Sequence, residues 1–235
     1  MQNVRALVFD VFGTLVDWRS SIACEARTIL SPLGVTLDWE AFADAWRARY
    51  PLAMEEVRSG RLPFSKLDVL HRNNLDLVLQ AFGLDRVDEA TRANLNLAWH
   101  RLDAWPDTTP GLARLRRKFL LAPCSNGNIS IMVDLARRNG WHWDAILGAE
   151  IARDYKPKPI VYLTAAAAFD CTPQETMMVA AHSYDLAAAA AIGLRTAFVA
   201  RPDEDGPGRG ERAAAGSVDI SVTSLVELAE RLGCG

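Results

Sequence analysis

No stretch of this chain approaches the roughly 20 consecutive apolar residues that a membrane-spanning helix needs. The early apolar run is cut at Asp10, so the N-terminus does not read as a signal peptide either. Neither sign of charge prevails: a formal net charge of −3 gives no basis for a nucleic-acid or polyanion partner. Cysteine is scarce. Cys24, Cys124, Cys171 and Cys234 are scattered without paired spacing, which argues against a zinc site or a disulfide frame and for reduced thiols in a cytoplasmic protein. No internal repeat is visible. The 235 residues that remain to be explained can bury a substantial core, as one large domain or as a core with an insertion.

The stretch from Val4 to Leu15 organises the rest: an apolar run, then Asp10, then the Gly13-Thr14 turn. Such a run reads as a strand buried on both faces of a parallel sheet. Ligands of open α/β sheets bind beyond the carboxyl ends of the strands, where Asp10 would stand. Helical patterning follows. Ala23, Ala26, Ile29, Leu30 and Leu33 mark one helix closed by Gly34, and Asp38 can cap a second whose stripe is Trp39, Phe42, Ala43 and Trp46 and which runs to Ser59-Gly60. A third spans Phe64 to Phe82 with Leu67, Leu70, Leu77, Val78 and Ala81 inward. A fourth spans Asp88 to Trp105 with Leu95, Ala98, Trp99 and Leu102 inward. About ninety residues of helix after one strand exceed any ordinary crossover, which predicts an inserted helical domain.

From Thr109-Pro110 strands and helices alternate. Strands are expected at Phe119 to Pro123, Ala145 to Ala149, Thr176 to Ala181, Arg195 to Ala200 and Asp219 to Val222, giving a parallel sheet with helices on both faces. Residues 201–217 are rich in Gly, Pro and charge and read as a surface loop without an assigned role.

The string Asp10-Val11-Phe12-Gly13-Thr14 resembles the first motif of the haloacid dehalogenase superfamily, a D-x-x-G-T signature whose Asp is the nucleophile. The resemblance implies a Rossmann-like core over 1–17 and 106–235, with an all-helical cap over 18–105. Phosphatases of the superfamily place a second Asp, a general acid/base, where this chain has Phe12. An aromatic there cannot carry a proton but can wall an apolar pocket, which moves the expectation from phosphoryl transfer to carbon–halogen chemistry.

Further motifs follow in order. Ser125-Asn126-Gly127 is similar to the second motif, whose hydroxyl and backbone N–H groups bind the substrate's anionic group; without that likeness it is a strand-to-helix turn with a cap. Lys156 in Tyr155-Lys156-Pro157 is similar to the third motif and would hold Asp10 ionised. Lys158 stands where many relatives have Asp. Tyr162 matches a tyrosine near the dehalogenase site. Asp185 matches the acid of the fourth motif, and Ala181 replaces the second carboxylate that phosphatases use to cage Mg²⁺, so no metal and no cofactor are expected. Ala180 and His182 replace the serine and asparagine of the dehalogenases. His182 could substitute for the amide, orient water or act as a base, or be a buried structural histidine. Trp46-Arg47 resembles the cap arginine that draws off halide, set against a surface arginine. Trp46 and Phe64 are candidate pocket walls or helix–helix core, while Phe12 and Tyr184 would exclude water, with Val11 and Thr14 beside the substrate.

The whole pattern resembles the L-2-haloacid dehalogenases. It implies attack by Asp10 on the halogen-bearing carbon, an aspartyl ester, then hydrolysis to a 2-hydroxy acid. The implied partners are a 2-haloacid and halide, with a homodimer by analogy. The rivals are a Mg²⁺-dependent phosphatase on the same fold and a non-catalytic binding protein.

Overall fold

A computed structural model describes residues 3–235. β1 (Ala6–Phe9) is wholly buried and ends at Asp10, as its unbroken apolar run requires. After a tight turn come β2 (Val16–Asp17), α1 (Trp18–Leu30), α2 (Trp39–Ala48), α3 (Tyr50–Arg58), α4 (Leu67–Ala81) and α5 (Glu89–Asn96). β3 (Asp103–Ala104), α6 (Thr108–Leu115), β4 (Leu120–Ser125), α7 (Ile129–Asn139), β5 (Leu147–Gly148), α8 (Ala149–Ala152) and α9 (Pro159–Ala167) return the chain to α/β alternation. β6 (Thr176–Ala180), α10 (Ser183–Ala191), β7 (Arg195–Val199), β8 (Ile220–Val222) and α11 (Leu225–Arg231) complete it.

The six long-range strands form one parallel sheet in the order β5-β4-β1-β6-β7-β8. Successive strands move outward from β1 on one side, and the chain then crosses to β6 on the other. Asp10 therefore stands at the switch point, flanked by the ends of β4 and β6, where a crevice forms in such sheets. Each expected strand is present, with ends differing by a residue or two.

The helical tract departs from expectation in three places. The second expected helix is two, because the chain breaks at Arg49 and restarts with Pro51 in the first turn of α3, where a missing N–H costs nothing. The fourth stops at Asn96. A 3₁₀ turn over Leu97–His100 follows, and β3 pairs antiparallel with β2, so a two-residue ribbon carries the chain out of the sheet and back. On α4 the buried face centres on His71 and Val78. Leu75 and Leu79 lie inside, while Leu77 and Ala81 are exposed at its border. The spacing is right and the phase is shifted, because the polar His71 and Asn74 share the inner face.

Polar clamps join the helical tract to α7 and the residue that precedes it. His100 lies 2.7 Å from Asp134 on α7 and 3.0 Å from Asp68 on α4, and the Asn128 side chain donates to Asp68 at 2.8 Å. Burial opposes charging of His100, but the two carboxylates outweigh it and raise its pKa above the usual 6.5. A histidine raised on folding contributes stability fully below its unfolded value and loses it as pH rises through the folded one. The difference in thermal stability between the parent and His100→Gln should therefore be widest below about pH 6.5 and narrow as pH is raised. A pH-independent difference in melting temperature would show that the ring is neutral in the clamp.

Candidate active site

Asp10 is 7% exposed, and three side chains address its carboxylate. Lys156 Nζ donates to Oδ1 at 2.8 Å, while the Thr14 hydroxyl donates to Oδ2 at 2.7 Å and His182 Nδ1 lies 3.1 Å from Oδ2. Burial raises the Asp10 pKa, but Lys156 and His182 outweigh it and hold the carboxyl far below the ordinary range. Oδ2 has both its in-plane positions taken. Oδ1 has one contact and keeps a lone pair free.

The local chain explains this geometry. In the turn after β1, Leu15 N donates to the Val11 carbonyl at 2.9 Å. Gly13 sits at φ +85°, a left-handed conformation that suits glycine, and a Cβ there would fall 1.8 Å from Glu204 Oε1. The carbonyls of residues 13–15 are held by Trp105 Nε1 (2.8 Å), Arg201 Nε (2.9 Å) and the Thr108 hydroxyl (2.9 Å). Arg201 itself makes a two-pronged pair with Asp107 at 2.7 and 2.9 Å.

Lys156 bridges two acids: its second contact is Asp185 Oδ2 at 2.5 Å, and Asp185 Oδ1 accepts from the Tyr162 hydroxyl at 2.5 Å. Burial pushes the Asp185 carboxyl up and outweighs Lys156. The loop is anchored from both sides, with Lys156 N donating to Asn126 Oδ1 and Arg58 of α3 donating to the Lys156 carbonyl, each at 2.8 Å. The Ser125 hydroxyl accepts from Gly127 N at 3.0 Å and retains its proton for another acceptor.

From the helical tract, α2 carries Arg47 into the same neighbourhood. Its guanidinium lies 4.3 Å from the centroid of Tyr50 and 5.3 Å from that of Trp18, and its buried NH1 has no hydrogen-bond partner. Burial opposes its charge, and Tyr50, Glu204, Tyr184 and Asp10 more than restore it. An unpartnered guanidinium N–H beside an aromatic wall suits a soft anion. Phe12 completes that wall, edge-on to Trp99 at 5.8 Å.

Several expected site residues have other work. The single proton of Thr14 goes to Asp10 while its oxygen accepts from Ala181 N at 2.9 Å, and the Tyr162 hydroxyl donates to Asp185, so each has its hydroxyl proton committed to a carboxylate of the cluster. Trp46 donates to the His71 carbonyl at 3.0 Å within the helix–helix core. Phe64 lies against Tyr155, 5.5 Å between centroids, under the Arg153 guanidinium. Tyr184 is 60% exposed, with its ring 5.6 Å from that of His182, so it flanks that ring without sealing the site. His182 is not free to act as a base: the Asp10 and Glu204 carboxylates overcome burial and lift its pKa to about 10. Two participants escaped sequence reasoning. Glu204 lies 3.0 Å from His182 Nε2. His71 stacks on Trp99 at 4.2 Å, its pKa pushed by burial to about 3, so it is a neutral ring.

The donor set does not suit a divalent cation. Lys156 Nζ occupies the space between Asp10 and Asp185, and Phe12 and Ala181 offer no side-chain oxygen. Among the described residues no cluster of three or more His, Cys, Asp or Glu side chains forms a metal-binding group.

The model of the haloacid dehalogenase-like hydrolases matches residues 4–193, and the chain belongs to that family. It is 30% identical over 205 residues to (S)-2-haloacid dehalogenase 1 of Pseudomonas sp. (strain CBS-3), covering 86% of each chain. Among solved structures it resembles the defluorinating L-2-haloacid dehalogenase Rha0230, at 45% identity and a TM-score of 0.95, over 98% of this chain and 95% of that one. It also resembles the L-2-haloacid dehalogenase of Xanthobacter autotrophicus with chloropropionic acid covalently bound, at 25% identity and a TM-score of 0.82, over 98% of each.

Removing the bridging lysine tests the electrostatics. Lys156→Met leaves Asp10 and Asp185 buried without their cation, a loss expected to cost about 3–5 kcal/mol of stability at neutral pH. Acidification should narrow the deficit, because protonation relieves the two carboxylates, whereas the parent loses the Asp10 contribution only below the ordinary carboxylate range. Denaturant titrations at neutral and mildly acidic pH check this, and equal stability of the two proteins would contradict it.

Proposed function

We propose that the protein hydrolyses short-chain 2-haloalkanoic acids, haloacetates and (S)-2-halopropionate, to 2-hydroxy acids through an ester on Asp10. The observation that carries this is the buried, ionised Asp10 with one lone pair of Oδ1 free and no proton donor at position 12. A phosphate ester needs an acid for its leaving alcohol. A halide leaves without one.

Residues 1–17 and 106–235 form the catalytic core in this account, and 18–105 the cap that closes it. Ser125, Asn126 and neighbouring backbone N–H groups take the substrate carboxylate. Oδ1 attacks the carbon bearing the halogen in line and inverts it, and Arg47 stabilises the departing halide in a site with little water. Water then attacks Cγ of the ester, with Asp185 taking one of its protons. Cleavage of the Cγ–Oδ1 bond releases the hydroxy acid. A cytoplasmic homodimer accords with the same account by analogy with the family.

Halide release from fluoro-, chloro- and bromoacetate and from each 2-chloropropionate enantiomer, in the presence of a chelator, tests this. The parent should act on at least one haloacetate and prefer the (S) enantiomer, and Asp10→Asn should reduce the rate by about 10⁴-fold or more. Unchanged halide release in Asp10→Asn, or Mg²⁺-dependent turnover of phosphate esters in its place, would overturn the assignment.

A further inference from the structure

Glu204 has no part in the chemistry described so far, yet it is only 4% exposed within a loop of Gly, Pro and charged residues. Its Oε1 lies 3.0 Å from His182 Nε2 and accepts from Trp18 Nε1 at 3.3 Å. The backbone fixes it: Glu204 N donates to the Arg201 carbonyl at 3.2 Å, and Arg201 is held by Asp107 and by the Thr14 carbonyl. Gly13 leaves the room its carboxylate fills.

An ionised carboxylate can only accept hydrogen bonds. His182 meets one through each ring nitrogen, at 3.1 Å to Asp10 and 3.0 Å to Glu204. Both contacts are hydrogen bonds only if both nitrogens carry protons. With both carboxylates ionised, this geometry calls for an imidazolium.

We propose that Glu204 is a positioning residue for the second half-reaction: it keeps His182 doubly protonated, so that His182 Nδ1–H and the Thr14 hydroxyl form the donor pair for the ester carbonyl oxygen. This rests on the haloacid reading above. Once Oδ1 is esterified, Oδ2 is the carbonyl oxygen, and both donors already point at it. Water oxygen bonds to Cγ, the C=O pair moves onto Oδ2, and one water proton passes to Asp185. Collapse restores the C=O bond and breaks Cγ–Oδ1. The alkoxide takes the proton from Asp185, and the second water proton leaves the re-formed Asp10 carboxyl for solvent. A cationic donor stabilises the oxyanion better than a neutral one.

Esterification removes the Asp10 charge, so the ring then depends on the charges that remain. Glu204 bonds it directly, Tyr184 flanks its face, and Asp205 is a further carboxylate within the ring's electrostatic reach. Arg47, whose charge Glu204 and Asp10 favour, opposes the ring's charge, while Lys156 contacts Asp10 on its other oxygen and is itself paired with Asp185. Glu204 is the anion that holds the proton through the step. In the resting enzyme the His182 pKa is about 10.

Glu204→Gln keeps an amide oxygen for Nε2–H and loses the charge. With chloroacetate, rapid mixing should show a burst of about one halide per site, followed by turnover slowed about tenfold or more. The alkaline limb of that turnover should move down by more than about one pH unit from the parent's. In a His182→Asn background, which offers a neutral donor without a titrating ring, Glu204→Gln should leave the alkaline limb in place. Parental pH dependence without a burst in Glu204→Gln, or an equal change in the His182→Asn background, overturns the proposal. Should the variant not fold, nitrogen NMR of the parent decides: His182 is expected as an imidazolium at about pH 8, well below its resting pKa, and a neutral ring there overturns the proposal. A parent inert toward every haloacid would instead defeat the functional reading itself.

Discussion

One ionised carboxylate, buried at the end of the central strand, sets the terms for everything around it. Moving such a group out of water costs several kcal/mol unless charges and donors replace the lost hydration. Here Lys156, His182 and Thr14 do so, and each has a partner of its own: Asp185, Glu204 and the Ala181 amide. The result is a chain of alternating charges, Glu204–His182–Asp10–Lys156–Asp185, that runs across the sheet edge. These partners keep Asp10 an anion while leaving one lone pair of Oδ1 unused.

The fold supplies this chain from the end of β1, the junction of β6 with α10 and two loops, and the helical tract locks onto it. Arg58 reaches the Lys156 carbonyl, Trp18 reaches Glu204, and Arg209 of the long loop lies 3.3 Å from Asp44 on α2. Arg47 follows Asp44 by three residues on that helix. The segments around Asp10 and the helical tract are therefore joined through side chains that belong to the charged chain or to its neighbours.

Much of this was legible in the sequence because it is written locally. An apolar run ending in Asp10, the Gly13-Thr14 turn and the repeated strand–helix rhythm gave the sheet, and motif order brought Lys156, Asp185, Ser125 and Asn126 to one edge. The less legible parts depend on contacts far apart in sequence. Glu204 meets Trp18 across 186 positions. Nothing in a Gly- and Pro-rich loop marks one glutamate as buried, although the bare Gly13 facing it is the complementary signal. The phase of α4 was misjudged because His71 and Asn74 are polar yet buried. Trp46 and Phe64 are large aromatics whose spacing fits a pocket wall and a helix–helix core equally; packing, which sequence does not report, puts Trp46 in that core and Phe64, in the loop before α4, on Tyr155 beside Lys156. Thr14 and Tyr162 lie at the site, but the direction of their hydrogen bonds gives them a supporting role.

All of this chemistry requires that oxygen reach the product by way of Asp10. The direct measurement is a single turnover of excess enzyme with a 2-haloacid in ¹⁸O-water, followed by mass analysis of the hydroxy acid and of the peptide containing Asp10. The account predicts an unlabelled hydroxy acid and one heavy oxygen in the Asp10 carboxylate. Label in the hydroxy acid with none in Asp10 would mean that water attacks the substrate carbon directly, and the buried carboxylate would not be the nucleophile.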